Sequence, residues 1–403
     1  MKTMRADPLS YLGAELGELR AKNLYRPLRE MSAPQAVHTV IDGKPVISLS
    51  SNNYLGLTTH PLLVEAALKA VRDFGVGTGA VRTIAGDTTL IEELERRLAE
   101  FKHVEAVLTV QSGLTANSGT IPAVTTDHDL IVSDELNHAS IIDGVRLSRA
   151  SRAVFPHRDV DGLEKVLREA RASGGPNGPY RSIMVITDGV FSMDGDIAPL
   201  PGICDVADRY EAAVMVDDAH ASGVLGRNGR GTIDHFDLHG RVDIQVGTLS
   251  KAVGVMGGYI AGRQHMKDFL TQRCRPLLFS TSQPPAVAAA CIAAIGVLEN
   301  EPERIQRLWD NTAVFKKGLQ DLGFDTGISE TPITPVMAGD ESKAQQLAAR
   351  LFDEGVFATS VVFPTVALGK ARVRTIVTSE HTRDDLQACL NAFEKVGREL
   401  RLI

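Results

Sequence analysis

The feature that most constrains this chain is an alternation of short apolar runs with helical patterns. The runs are Ala106–Val110, Leu130–Ser133, Ala153–Phe155, Ile183–Thr187, Ala213–Val216, Asp243–Gly247 and Gly258–Ala261. Helical spacing covers about 61–73, 88–102, 115–123 and 139–149. Several runs are apolar without alternation, as strands buried on both faces must be. Repeated αβ units of this kind predict an α/β fold, a mostly parallel sheet with helices on both faces. The stretch Ala172–Pro179, rich in glycine and proline, reads as a loop between two units.

The ends have a different texture. Residues 8–30 read as an amphipathic helix, with Leu9, Leu12, Leu16 and Leu19 at helical spacing and Pro8 in its first turn. Val46–Ser50 reads as a strand running into the polar turn Ser51–Gly56. Beyond about residue 290, helices near 302–322 and 342–354 flank strands at Ile333–Met337, Val356–Val361 and Ala371–Thr378. A last helix over 383–400 puts Leu386, Leu390, Phe393 and Val396 on one face. Three parts follow: an N-terminal helix with short strands (1–57), a large α/β domain (58–290) and a smaller C-terminal α+β domain (291–403).

Composition limits the partners. A chain of 403 residues can bury a large core. Its net charge of −7 argues against nucleic acid or an anionic membrane as the main partner. The apolar run Ala286–Leu298 is shorter than the roughly 18 residues a membrane span needs and reads as a buried helix. Met1–Asp7 carries no apolar segment after its charges, so no signal peptide is expected. The four cysteines, Cys204, Cys274, Cys291 and Cys389, lie far apart, which predicts no metal site, no disulfide framework and a reducing, cytoplasmic setting.

The chemistry-bearing residues sit at the ends of the apolar runs. Lys251, in Gly247-Thr248-Leu249-Ser250-Lys251, is pressed among small residues, where desolvation lowers an amine's pKa and leaves it able to attack a carbonyl. Asp217 follows an apolar run, and a carboxylate there needs a partner. A protonated pyridine nitrogen is a fitting one, since a cationic ring accepts electrons from a carbanion. Ser112, Gly113 and Leu114 stand where a strand meets a helix, a place suited to a phosphate, and Thr248 can add a hydroxyl. His138 lies beyond another strand end and can stack on a flat cofactor, while Ser192 and His220 are candidates for its ring hydroxyl. Arg372 and Arg374 share one face of a strand; one of them can clamp a substrate carboxylate, and the other reads as a solvated or interface charge. Gly75-Val76-Gly77-Thr78-Gly79 follows a helical pattern and lacks the spacing of a dinucleotide fingerprint.

Taken in order, the motifs resemble the α-oxoamine synthases, pyridoxal-phosphate enzymes of fold type I. They are Ser51-Asn52-Asn53-Tyr54-Leu55-Gly56-Leu57, Ser112-Gly113, Asn137-His138-Ala139-Ser140, Gly189–Gly195, Asp217-Asp218-Ala219-His220, Thr248-Leu249-Ser250-Lys251 and Phe279-Ser280-Thr281-Ser282. The resemblance implies a mostly parallel seven-stranded sheet and pyridoxal 5'-phosphate joined covalently to Lys251. It implies Asp217 on the ring nitrogen, His138 on the ring face, Ser192 and His220 at the ring hydroxyl, and Ser112, Gly113, Leu114 and Thr248 at the phosphate. It further implies a homodimer with sites at the interface, Thr281 and Asn52 reaching across from the partner, and Arg374 on the amino-acid carboxylate. The implied reaction condenses an amino acid with an acyl-CoA and releases coenzyme A, and the resemblance leaves open whether decarboxylation follows.

Within the family, Asp217–His220, Gly229-Arg230-Gly231-Thr232 and Arg372-Val373-Arg374-Thr375 lean toward glycine C-acetyltransferase, using glycine and acetyl-CoA. The alternative is 8-amino-7-oxononanoate synthase, using alanine and pimeloyl-CoA, or one enzyme doing both. A silent partner subunit is disfavoured because Lys251 is present. An aminotransferase of the same fold is the remaining reading.

Overall fold

A computed structural model describes residues 7–22 and 24–403. Residues 1–6, on which the signal-peptide reading mostly rests, lie outside the described residues. In chain order the strands are β1 (His38–Ile41), β2 (Lys44–Ser48), β3 (Ala106–Val110), β4 (Asp129–Asp134), β5 (Ser151–Phe155), β6 (Ser182–Asp188) and β7 (Ala213–Asp217). They continue with β8 (Ile244–Thr248), β9 (Gly258–Gly262), β10 (Ile333–Gly339), β11 (Val356–Phe357), β12 (Thr359–Val361) and β13 (Ala371–Ile376).

Seven of these form the main sheet, in the order β3-β9-β8-β7-β6-β4-β5. All its pairings are parallel except those of β9, which runs antiparallel to both β3 and β8. The central strands β4 and β6–β9 are almost wholly buried, because helices cover both faces. One apolar cluster lies under helices Pro61–Phe74, Thr89–Lys102 and Pro285–Asn300, and includes Ile91, Leu94, Leu98, Ala294 and Ile295. Another fills the face beneath Gly113–Val124, with Ile121, Ile141, Ile186 and Ile260. Ala286–Leu298 is indeed within a buried helix, and among the described residues no helix is long and apolar enough to cross a membrane. All four cysteines are buried and unpaired.

Two small sheets complete the fold, β1-β2-β11 and β10-β13-β12. Because β2 pairs in parallel with β11, the N-terminal strands are tied to the C-terminal elements. The last helix, Arg383–Glu399, buries Leu386, Leu390, Phe393 and Val396, the face that its spacing predicts.

The structure corrects several expectations. The helix predicted over 8–30 is confined to Tyr11–Ala21 within the described residues, and its leucines are not covered by this chain: Leu12, Leu16 and Leu19 are 42%, 41% and 40% exposed. The predicted strand Val356–Val361 is two strands that break at Ala358, because β11 pairs with β2 while β12 pairs with β13. Helices Val160–Ser173, Leu200–Arg209 and Gln264–Arg273 and strand β1 were absent from the expectation.

One ion cluster braces the loops at the ends of β5 and β6. His157 Nδ1 lies 3.0 Å from Asp134 and its Nε2 2.9 Å from Asp196, with the ring edge-on to Phe191. Burial works against the charge on this imidazole, but the hydrogen bonds it donates to both carboxylates outweigh it and raise its pKa to about 9. Since an unfolded histidine titrates near 6.5, the stabilisation is fully present below about pH 6.5 and lost as pH rises through about 9. His157→Gln is therefore predicted to lower Tm at pH 6 and to leave it near the wild-type value at pH 10. An equal deficit at both values, read by thermal denaturation of the apoprotein, contradicts this pairing.

Candidate active site

The parallel strands end at one edge of the sheet, and the chemistry-bearing residues collect there. Asp188 closes β6 and Asp217 closes β7, and the two occupy paired positions of neighbouring strands. Asp217 is 4% exposed; its Oδ2 accepts from Asn117 Nδ2 at 2.6 Å and its Oδ1 from the Ala219 backbone N–H at 2.9 Å. Asn117 projects from helix Gly113–Val124 and also donates to Ser140 Oγ at 2.9 Å. The acid is thus held in one orientation by groups from two elements.

Lys251 lies just beyond β8. Burial lowers its pKa to about 8; the nearby Arg374 charge acts in the same direction, while Asp217 and Asp188 oppose it. No hydrogen bond fixes its Nζ among the described residues. A buried amine that titrates near neutrality and has no partner is suited to nucleophilic and proton-transfer work.

His138 caps the helix Ala139–Leu147. Its Nδ1 accepts from the Ser140 N–H at 3.2 Å and lies 2.7 Å from Ser140 Oγ, while Asp188 Oδ2 accepts from its backbone N–H at 2.7 Å. Burial lowers its pKa, Asp217 opposes this and Lys251 adds to it, which favours the neutral imidazole. His220 is pushed well below its ordinary range by burial and by the charges of Lys251 and Arg374, and its Nδ1 lies 2.7 Å from the Tyr54 hydroxyl.

The strand-to-helix turn is a donor cradle. Ser112 Oγ accepts from the Thr115 N–H at 3.1 Å, and Thr115 Oγ1 accepts from the Ser112 N–H at 2.8 Å. This capping box leaves the Gly113 and Leu114 N–H groups without an acceptor among the described residues. Thr248 adjoins them: a Cβ on Gly113 would stand 3.4 Å from Thr248 Cβ. The Thr248 hydroxyl donates to Gly257 O at 2.8 Å, so a bound phosphate would compete with that carbonyl for its proton.

Arg374 is half-buried on β13 and donates from Nη2 to Asn52 Oδ1 at 3.3 Å; its buried Nε has no partner. A guanidinium whose buried Nε lacks an acceptor is an open place for a carboxylate. Asn52, expected from a partner chain, here lies against Arg374 of its own chain. Thr281 is exposed and close to Gln111, whose Nε2 donates to its carbonyl at 2.8 Å. Ser192 lies on the loop after β6, a few residues beyond Asp188.

Arg372, expected to be solvated or at an interface, is 3% exposed and ion-paired with Asp194. Sequence reasoning also missed three residues that shape the site: Tyr54, Asn117 and Asp188. Asp188 ends an apolar run as Asp217 does, so the strand-end rule would have found it. Nothing local marks Asn117, whose contact lies 100 residues away.

These residues fit pyridoxal 5'-phosphate. There is an amine for an aldehyde, a firmly held carboxylate for a ring nitrogen, unsatisfied N–H donors at a helix start for a phosphate, and a half-buried arginine with a free Nε for an amino-acid carboxylate. Among the described residues no cluster suited to a metal ion is found.

Comparison with known proteins agrees. The sequence profile of the family "Aminotransferase class I and II" matches residues 44–393. The chain is 58% identical to 8-amino-7-oxononanoate synthase of Symbiobacterium thermophilum, over 98% of this chain and 99% of that one. It is 53% identical to 8-amino-7-oxononanoate synthase 1 of Bacillus subtilis, over 98% of each. Serine palmitoyltransferase from S. paucimobilis superposes with a TM-score of 0.91 at 32% identity, covering 98% of this chain and 100% of the other. These relatives do not favour the glycine C-acetyltransferase lean drawn from the motifs. The chain belongs to the class I and II aminotransferase family of pyridoxal-phosphate enzymes and, within it, to the α-oxoamine synthases.

Proposed function

We propose that this acyltransferase is an 8-amino-7-oxononanoate synthase, joining L-alanine to a pimeloyl thioester with loss of carbon dioxide and coenzyme A, as a cytoplasmic homodimer. The observation that carries this is the name borne by curated relatives at 53% and 58% identity over almost the whole chain. One of the motifs that lean toward glycine and acetyl-CoA, Gly229-Arg230-Gly231-Thr232, has a structural task instead. Gly231 has φ +104°, and a Cβ there would collide with the Asp218 carboxylate; the Thr232 N–H donates to the same carboxylate, and Lys102 Nζ lies 3.2 Å from it. That segment serves a buried ion pair behind the site. Support for the homodimer comes from Val76, Ile84, Met256 and Phe279, large apolar residues left exposed near the site segments.

Pyridoxal phosphate, when bound, supplies an aldehyde for the amino acid's nitrogen and a ring that takes up electron density from its Cα. Asp217 keeps a negative charge beside the ring nitrogen, and Asn117 and Ala219 keep it from turning away. Gly113, Leu114 and Thr248 would hold the phosphate, with Ser112 shaping the turn. His138 would pack on the ring, and Ser192 and His220 would serve its hydroxyl. Arg374, steadied by Asn52, grips the carboxylate of the amino acid. Lys251 would hold the cofactor's aldehyde, and its amine, with a pKa lowered to about 8, is suited to take a proton from the substrate's Cα. Preorganised charge around the ring is the main contribution of the protein to rate.

Steady-state assays with L-alanine plus pimeloyl-CoA and with glycine plus acetyl-CoA test the assignment. The first pair is expected to give the higher kcat/KM, by about tenfold or more, because pocket contacts along a longer chain discriminate at that scale. A preference for glycine and acetyl-CoA of the same size would overturn it.

A further inference from the structure

We infer that Arg372 is a positioning residue that sets the distance between the amino-acid carboxylate site and the Ser192 loop, through its ion pair with Asp194. This rests on the reading of Arg374 as the carboxylate holder. Arg372 and Arg374 alternate on β13 and so project from the same face; Arg374 pairs with Thr359 and Pro335, and Arg372 with Val361 and Met337. Arg374 points toward Asn52. Arg372 points to the loop after β6: its Nη1 donates to the Asp194 carboxylate and to Met193 O at 3.1 Å, and its Nε donates to Lys370 O at 3.0 Å.

The loop that receives Arg372 is a closed turn. The Phe191 N–H donates to Asp196 O at 3.0 Å and the Gly195 N–H to Phe191 O at 2.8 Å, so displacing Asp194 displaces Ser192. The C-terminal elements grip the same turn a second time. Gly195 O accepts from the Glu330 N–H at 2.9 Å and from Thr331 Oγ1 at 2.8 Å, and Glu330 Oε2 accepts from the Ile197 N–H at 3.1 Å. Gly195 has φ +75°, and a Cβ there would meet the Ile333 carbonyl, so the approach is as close as backbone allows. Lys316 Nζ holds the gripping segment by donating to Ser329 O at 3.0 Å, Ser329 Oγ at 2.9 Å and Thr331 O at 3.0 Å.

Of all these contacts, only Arg372 comes from the strand that carries Arg374. A guanidinium buried to 3% exposure and shared between a carboxylate and two carbonyls has one geometry, and β13 transmits it over two residues to Arg374. Supporting contacts of this kind decide whether a substrate-holding group is placed within the tolerance that binding needs.

The test titrates amino acid into the holoenzyme and follows the cofactor's absorbance, so it does not depend on turnover. Arg372→Met and Asp194→Asn are each expected to weaken L-alanine binding about tenfold or more. The double variant is expected to be no weaker than the worse single one, since both remove one contact. Arg372→Lys, which cannot reproduce the fork, should recover only part of the affinity. Asp194→Asn is isosteric and part-exposed, so it keeps the inference testable if Arg372→Met does not fold. Wild-type affinity in folded single variants, whatever their Tm, would show the pair to be merely structural and overturn the inference. Fully additive losses would overturn it as well. Arg374→Lys serves as the reference: unchanged affinity there would remove the carboxylate assignment, and this inference with it.

Discussion

Lys251→Ala is expected to lose covalent cofactor and to lower turnover by about 10⁴-fold or more, because the proposed function gives one amine both the aldehyde to carry and the Cα proton to move. The loss should not come from unfolding. Lys251 makes no hydrogen bond among the described residues, and its buried ammonium is disfavoured, as its pKa of about 8 records. The apoprotein should therefore remain folded, which circular dichroism and Tm can check. Added methylamine should restore part of the proton transfer but none of the attachment. Turnover within tenfold of wild type would remove Lys251 from both roles.

Asp217→Asn should retain cofactor and lose about 10²–10³-fold in turnover, the scale of removing one preorganised electrostatic contact. The fold can absorb the change. A carboxamide NH₂ would face Asn117 Nδ2, but Asn117 Oδ1 is buried and unpartnered, so its amide can turn over and accept. The Ser140 hydroxyl, now an acceptor from Asn117, can donate to it instead at the cost of its hydrogen bond to His138 Nδ1. The Ala219 N–H would keep its oxygen acceptor. What disappears is the negative charge beside the ring nitrogen, and with it the pull that keeps that nitrogen protonated. Equilibrium binding of the cofactor together with steady-state kinetics separates the two effects. Near-normal turnover would take Asp217 out of its role, and loss of cofactor affinity in parallel with turnover would make that role one of anchoring alone.

The site was legible where chemistry coincides with a strand end. Lys251, Asp217, His138 and the Ser112–Leu114 turn all follow apolar runs, and the parallel sheet gathers such ends along one edge. Asn117 and Tyr54 were not legible, because their roles come from contacts between distant elements: Asn117 with Asp217, Tyr54 with His220. Arg372 was misread for the same reason. A strand pattern gives the face of a side chain but not what packs on that face, and Asp194, its partner, lies 178 residues away. The helix Leu200–Arg209 follows Pro199 and begins Leu200-Pro201-Gly202, and these prolines and glycine mask its periodicity. The N-terminal helix was overextended because leucine spacing persists where nothing in this chain covers it. One of the motifs behind the lean toward glycine and acetyl-CoA, Gly229-Arg230-Gly231-Thr232, braces the site from behind, around the Asp218–Lys102 ion pair.

The central claim is a covalent link between cofactor and one lysine. Reducing the holoenzyme with borohydride, digesting it and sequencing the labelled peptide by mass spectrometry tests it in one step. A pyridoxyl mass on the peptide containing Leu249-Ser250-Lys251-Ala252, and on that lysine alone, is the predicted result. A label on another lysine, or none on a protein that binds the cofactor and turns over, would contradict the account.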